Sequence, residues 1–135
     1  MSRAAEWLTR LMMGVAIVAV ATAIGSCVSE RSTSAVEASA CNVQLPAEAI
    51  GSTIVSVRDF AFTPTQINVR TGAKVTWVNC GTSSGASHTS TSDNGVWASP
   101  LLAPGETFTR EFDAPGSFPF HCEPHPFMTG AVTVN

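Results

Sequence analysis

A chain of 135 residues has room for one ordinary domain, and 7 basic against 10 acidic side chains, with no lysine or arginine run, exclude a nucleic-acid partner. Eight prolines, ten glycines and short Val, Phe and Thr runs in place of long periodic stretches point to an all-β chain. Much of the 44% apolar content lies in residues 1–26, outside the expected fold.

Arg3 and Arg10 precede an apolar run, LMMGVAIVAVATAIGS, that ends immediately before Cys27. A spanning helix needs about 20 apolar residues to cross roughly 30 Å of hydrocarbon, so this run is short for a permanent anchor and suits a signal peptide, residues 1–26. An uncleaved membrane helix is the competing reading. Ile24-Gly25-Ser26-Cys27 resembles the bacterial lipobox, in which two small residues precede the cysteine that receives diacylglycerol. The resemblance implies lipidation at Cys27 and attachment to a membrane, in the bacterial periplasm or on the outer cell surface, since each buried lipid CH₂ contributes about 0.8 kcal/mol. Residues 27–40, mostly Ala, Ser, Thr and Glu without strand pattern, then read as a flexible tether, and residues 41–135 as the folded domain.

From Thr53 the alternation predicts a strand with a bend near Asp59, continuing through Phe60 and Phe62 to Pro64. Gln66 to Arg70 alternates Ile67 and Val69 with polar neighbours, Thr71-Gly72 turns the chain, and Val75, Trp77 and Asn79 share one face of the next strand. These read as half-buried antiparallel strands. Pro104-Gly105 and Pro115-Gly116 bracket a strand from Glu106 to Phe112, with Phe108 and Phe112 inward and Arg110 reaching a rim. Strands at Phe118 to Cys122 and Ala131 to Val134 complete a sandwich of about seven or eight strands.

The chemistry concentrates in FPFHCEPHPFMTG, residues 118–130, where Cys122, His125 and Met128 offer a thiolate, an imidazole and a thioether in one loop between two strands. Copper cycling between Cu(I) and Cu(II) suits ligands of intermediate softness, two His and one Cys in a trigonal plane with a weak axial Met. The second histidine is either His88 or His121. Adjacent strand residues point to opposite faces, so His121 cannot readily share a metal with Cys122, which leaves His88 in the loop from Cys80 to Ser92. Zinc is the competing ion, but methionine is a poor zinc donor and no second Cys/His pair completes a zinc set.

Taken with Phe60-x-Phe62-x-Pro64, Ile67-x-Val69-x-x-Gly72, Val75-x-Trp77-x-Asn79, Leu102-x-Pro104-Gly105 and Pro115-Gly116-x-Phe118, the stretch from Ile54 to Asn135 resembles the cupredoxins, small blue copper proteins of the plastocyanin and amicyanin type. The resemblance implies a Greek-key β-sandwich and one type 1 copper ion, with His88, Cys122 and His125 equatorial and Met128 axial. It implies a single-electron carrier with transient donor and acceptor proteins, likewise not an enzyme and expected as a monomer. Asn79 would tie its strand to the cysteine loop. Two positions depart from the family pattern: Thr89 follows the first histidine where Asn is usual, and the loop from Asn79 to His88 is longer than in amicyanin. Pro124 and Pro126 should stiffen the loop around His125, with Phe127 and Leu101 or Leu102 forming an apolar surface beside it.

Of the four cysteines, lipid on Cys27 and copper on Cys122 leave Cys41 and Cys80, which an oxidising compartment would join, the alternative being two unpaired thiols. A multicopper enzyme would need more than three histidines. A periplasmic copper buffer or delivery protein is the stronger alternative, and a metal-free adhesion module leaves the four donor side chains unexplained.

Overall fold

Alternating apolar residues broken by glycine and proline turns leave the chain little choice but paired strands. A computed structural model describes residues 41–82 and 84–135; the expected signal peptide, Cys27 and the tether lie outside the described residues. Among them are eight strands: β1 Thr53–Arg58, β2 Ala61–Thr63, β3 Gln66–Val69, β4 Ala73–Asn79, β5 Thr91–Ser92, β6 Thr107–Phe112, β7 Gly116–Cys122 and β8 His125–Val134. They make two four-stranded sheets, ordered β2-β1-β4-β6 and β3-β8-β7-β5. No described helix is long and apolar enough to cross a membrane.

Two expectations are corrected by the topology. The strands are not uniformly antiparallel: β1 runs parallel to β4 and β3 parallel to β8. The chain leaves the first sheet after β2, adds β3 to the second and returns, so β4 arrives beside β1 in the same direction. Nor is the segment from Thr53 one bent strand. Asp59 and Phe60 adopt φ of 50° and 58°, reversing the chain so that Arg58 pairs with Ala61 across an antiparallel hairpin. Two successive positive φ values give a turn whose twist matches that of the flanking strands.

Between the sheets, Trp77 and Phe120 are fully buried and meet edge-on, with centroids 5.3 Å apart, and Phe62 closes on Phe120 at 4.9 Å. Trp97, in the segment after β5, packs 5.7 Å from Trp77 and donates from Nε1 to Ser90 Oγ at 3.1 Å. Arg110, expected at a rim, is half-buried and lies over core rings, its guanidinium carbon 5.4 Å from the Trp97 ring and 5.7 Å from Phe112. Each such buried aromatic or aliphatic side chain contributes about 1.5–3 kcal/mol.

The outer face of β1 and β4 is apolar as well. Ile54, Val78 and Cys80 are covered by Cys41, Val43 and Leu45, so the residues before β1 act as a lid on that sheet. A disulfide between Cys41 and Cys80, with Cα atoms 4.9 Å apart, clamps the lid at one end. At the other, Ser52 Oγ lies 2.7 Å from both Ala49 O and Thr76 Oγ1.

Gly130 faces Phe120 across the β7–β8 pair, and a Cβ there would lie 2.5 Å from Phe120 Cζ. The space a side chain would take is filled by the ring at the centre of the core. Gly130→Ala is therefore expected to lower unfolding stability by about 1–3 kcal/mol, measured as a denaturant midpoint at unchanged slope. A midpoint equal to that of the wild type would mean that Phe120 can move aside freely.

Candidate metal centre

The spacing of Cys122 and His125 becomes intelligible in the β7–β8 hairpin. Glu123-Pro124 is the reversal, and Cys122 and His125 are cross-strand partners at its mouth. Opposed residues in a hairpin project to the same side, so two intervening residues bring thiol and imidazole together. His125 and Met128 were expected in a loop; both lie within β8, which begins at His125. Met128 shares parity with Gly130, Val132 and Val134, is buried, and belongs to the same core cluster as Cys122.

His88 arrives from the other direction. It forms an isolated antiparallel bridge with Leu102, its N–H donating to Leu102 O at 3.0 Å and its carbonyl accepting from Leu102 N at 2.7 Å. Leu102 is therefore core, 2% exposed, and does not belong to the surface expected around His125; Leu101 is 57% exposed. The fully buried Asn79 steadies the same region. Its Nδ2 donates to Ala86 O at 3.0 Å and Leu102 O at 2.9 Å, and its Oδ1 accepts from Gly81 N.

Asn79 thus braces the loop before His88, and the expected link to the cysteine loop is made instead by Thr89. The Thr89 N–H donates to Cys122 Sγ at 3.3 Å, and Glu123 N–H donates to Thr89 Oγ1 at 2.8 Å. A threonine hydroxyl accepts this backbone bond as an amide oxygen would. The signal was in the sequence as a departure from pattern, but letters alone did not show that the substitute was functional.

These elements converge on one point. Cys122 Sγ lies 3.6 Å from His88 Nδ1 and 3.6 Å from His125 Nδ1, and the three donor atoms all fall within 4.8 Å of one another. An ion bonded at about 2.0 Å to nitrogen and 2.3 Å to sulfur, at a trigonal angle, places N and S roughly 3.7 Å apart. The donor set therefore fits a single soft-to-borderline ion. Cys122 and His88 are buried, whereas His125 is half-buried. His121 is turned away from this cluster, its Nδ1 2.5 Å from Asp93 Oδ1 on the outside of the sheet.

A residue that the sequence did not mark also belongs here. The Phe60 ring stands edge-on to His125, with centroids 4.8 Å apart, and to His88 at 5.7 Å. Phe127, 72% exposed, lies 6.3 Å from Phe60 and 6.1 Å from His125. Phe60 read as a strand residue because nothing in the alternation announces a reversal at Asp59-Phe60, a pair without the glycine such turns usually carry.

Burial lowers the pKa of His88 below 6.5, and positive charge on His125 lowers it further. The neutral imidazole that a metal requires is favoured. Above pH 6.5 the folded and unfolded states are alike at this residue. Below it the unfolded chain takes a proton that the folded state resists, so the metal-free protein is expected to lose stability as pH falls through 6.5. Denaturation midpoints between pH 5 and 8 test this, and His88→Gln should flatten the profile.

A family model of copper binding proteins, the plastocyanin/azurin family, matches residues 49–135. The chain is 34% identical over 87 residues to amicyanin-alpha of Methylorubrum extorquens, covering 62% of this chain and 72% of that protein. It is also 34% identical over 86 residues to plastocyanin of Scenedesmus fuscus, covering 54% of this chain and 85% of the relative. Among solved structures, the Cu(I) form of an amicyanin mutant superposes with a TM-score of 0.58 at 28% identity, over 63% of this chain and 83% of that one. With a Cys-His-His cluster at one end of a two-sheet β-sandwich and a match over its whole length from residue 49, the chain belongs to the plastocyanin/azurin family of copper binding proteins.

Proposed function

We propose that this protein is a blue copper electron carrier, with His88, Cys122 and His125 as the equatorial ligands and Met128 as the axial one. The observation that carries the reading is the equal 3.6 Å approach of two imidazole nitrogens to one buried thiol. Copper supplies a one-electron Cu(I)/Cu(II) couple when bound. The chain's own residues supply rigidity. His88 is locked by paired backbone bonds to Leu102, Cys122 accepts a bond from Thr89 N–H, and the hairpin fixes His125 opposite Cys122. Ligands held this way rearrange little between oxidation states, which electron transfer requires.

His125 is the electron port, because it reaches the surface among Phe60 and Phe127 while His88 stays buried. An apolar patch of this kind suits redox partners that bind briefly over a small interface. We assign the chain an exported location and membrane attachment through Cys27. The charge balance and the three histidines favour a carrier over a nucleic-acid binder or a multicopper enzyme.

Adding Cu(II) to metal-free residues 41–135 is expected to produce intense visible absorption that saturates at one copper per chain and bleaches with a one-electron reductant. Tight Cu(I) binding without that absorption would identify a copper buffer instead. His125→Ala is expected to slow electron exchange with a redox protein that oxidises the wild type; an unchanged rate would eliminate the port.

A further inference from the structure

Asp59 and Phe60 occupy left-handed backbone geometry, φ 50° and 58°. Aspartate tolerates that region, but a bulky aromatic residue rarely enters it, and such strain persists where the surrounding structure enforces it and a function uses it. The return for this strain is visible. The reversal brings Phe60, 48% exposed, edge-on to both His125 and His88, while Arg58 and Ala61 pair behind it. Beside the ring a surface cleft of about 410 Å³ runs between this turn and the loop before His88, lined by Phe60, Gly81, Ala86 and His88 itself. His88 already lines this cleft, and removing the ring would widen it there.

We propose that the Asp59-Phe60 turn is a strained clasp whose ring holds the plane of His125 and narrows the access of water to the His88 side of the centre. The inference rests on the copper-carrier reading and adds a positioning residue to it. The chemistry follows from charge. With a thiolate ligand, an oxidised centre carries one positive charge more than a reduced one, and water stabilises the more charged state. Restricting water on that side therefore raises the reduction potential, and holding the imidazole limits the rearrangement that accompanies each electron.

Phe60→Gly tests this, because glycine adopts φ near +60° without penalty and removes the ring. In the metal-free protein the unfolding midpoint is expected to be no lower than in the wild type, while the His125 ring-proton resonances shift as the aromatic ring current disappears. In the copper-loaded protein the reduction potential is expected to fall and electron self-exchange to slow several-fold. Phe60→Tyr should restore the resonances and the potential. Unchanged His125 resonances and potential in Phe60→Gly, with a lower unfolding midpoint, would show that Phe60 is ordinary packing and overturn the clasp. A wild type that takes up no copper would instead defeat the carrier reading, while the resonances of the metal-free protein would still report on the clasp.

Discussion

Cys122→Ser is expected to abolish the intense visible absorption of the copper-loaded protein and to weaken copper binding by orders of magnitude. Serine at neutral pH offers a neutral, hard hydroxyl where the site needs a soft anion, and two imidazoles alone resemble many weak copper sites. The fold should survive. Cys122 is completely buried, but Thr89 N–H, which now donates to its sulfur, can donate to a serine oxygen. One satisfied hydroxyl in place of a thiol costs far less than an orphaned one, for which about 1–3 kcal/mol is lost. The check is an absorption spectrum with Cu(II) alongside a thermal unfolding curve of the metal-free variant. Retained colour in a folded Cys122→Ser protein would remove the thiolate from the centre and with it the functional proposal.

The double variant Cys41→Ser, Cys80→Ser is expected to lose about 4 kcal/mol of stability in the chain-entropy account of a bridge closing a sequence separation of 39. Two further consequences separate this from a general weakening. Cys41, Val43 and Leu45 cover Ile54 and Val78, so freeing the lid should expose apolar surface on the outer sheet and speed proteolysis before residue 52 ahead of global unfolding. Cys80 also begins the loop that leads to His88, and its N–H donates to Val57 O at 2.8 Å. That backbone bond and the Asn79 bonds remain, so copper binding should persist in the folded fraction. A denaturant midpoint equal to that of the wild type would show that the lid is held by apolar burial alone.

How far the letters carried the reading can be judged residue by residue. The strands from Gln66 to Asn79 and from Thr107 to Phe112 were legible because large apolar residues recur there with period two and each run ends near a glycine or proline turn, although β4 proves buried on both faces rather than one. The cluster of Cys122, His125 and Met128 was legible because its donors are close in the chain. His88 could be chosen over His121 because the pleat turns neighbours of Cys122 outward, and His121 does face Asp93 rather than the cluster. Three features escaped. Leu102 stood beside Leu101 as an alternative surface residue because two adjacent leucines before Pro104 carry no period; its burial depends on pairing with His88, which is distant in the chain. The reversal at Asp59-Phe60 lacks the glycine that would announce it. The parallel pairings of β1 with β4 and of β3 with β8 depend on a crossing between sheets that no local pattern encodes.

By itself, then, the sequence determined the all-β class, the kinds of donor atoms on offer and the family pattern, because periodicity, side-chain chemistry and short spacings are local properties. Only the tertiary structure decided that Thr89 ties the two ligand segments together, that the Phe60 ring closes over both histidines, and that the lid of residues 41–45 packs on the outer sheet. Each of these joins residues far apart in the chain. Which distant groups meet is set by how two sheets pack, and that is a property of the whole core rather than of any stretch within it.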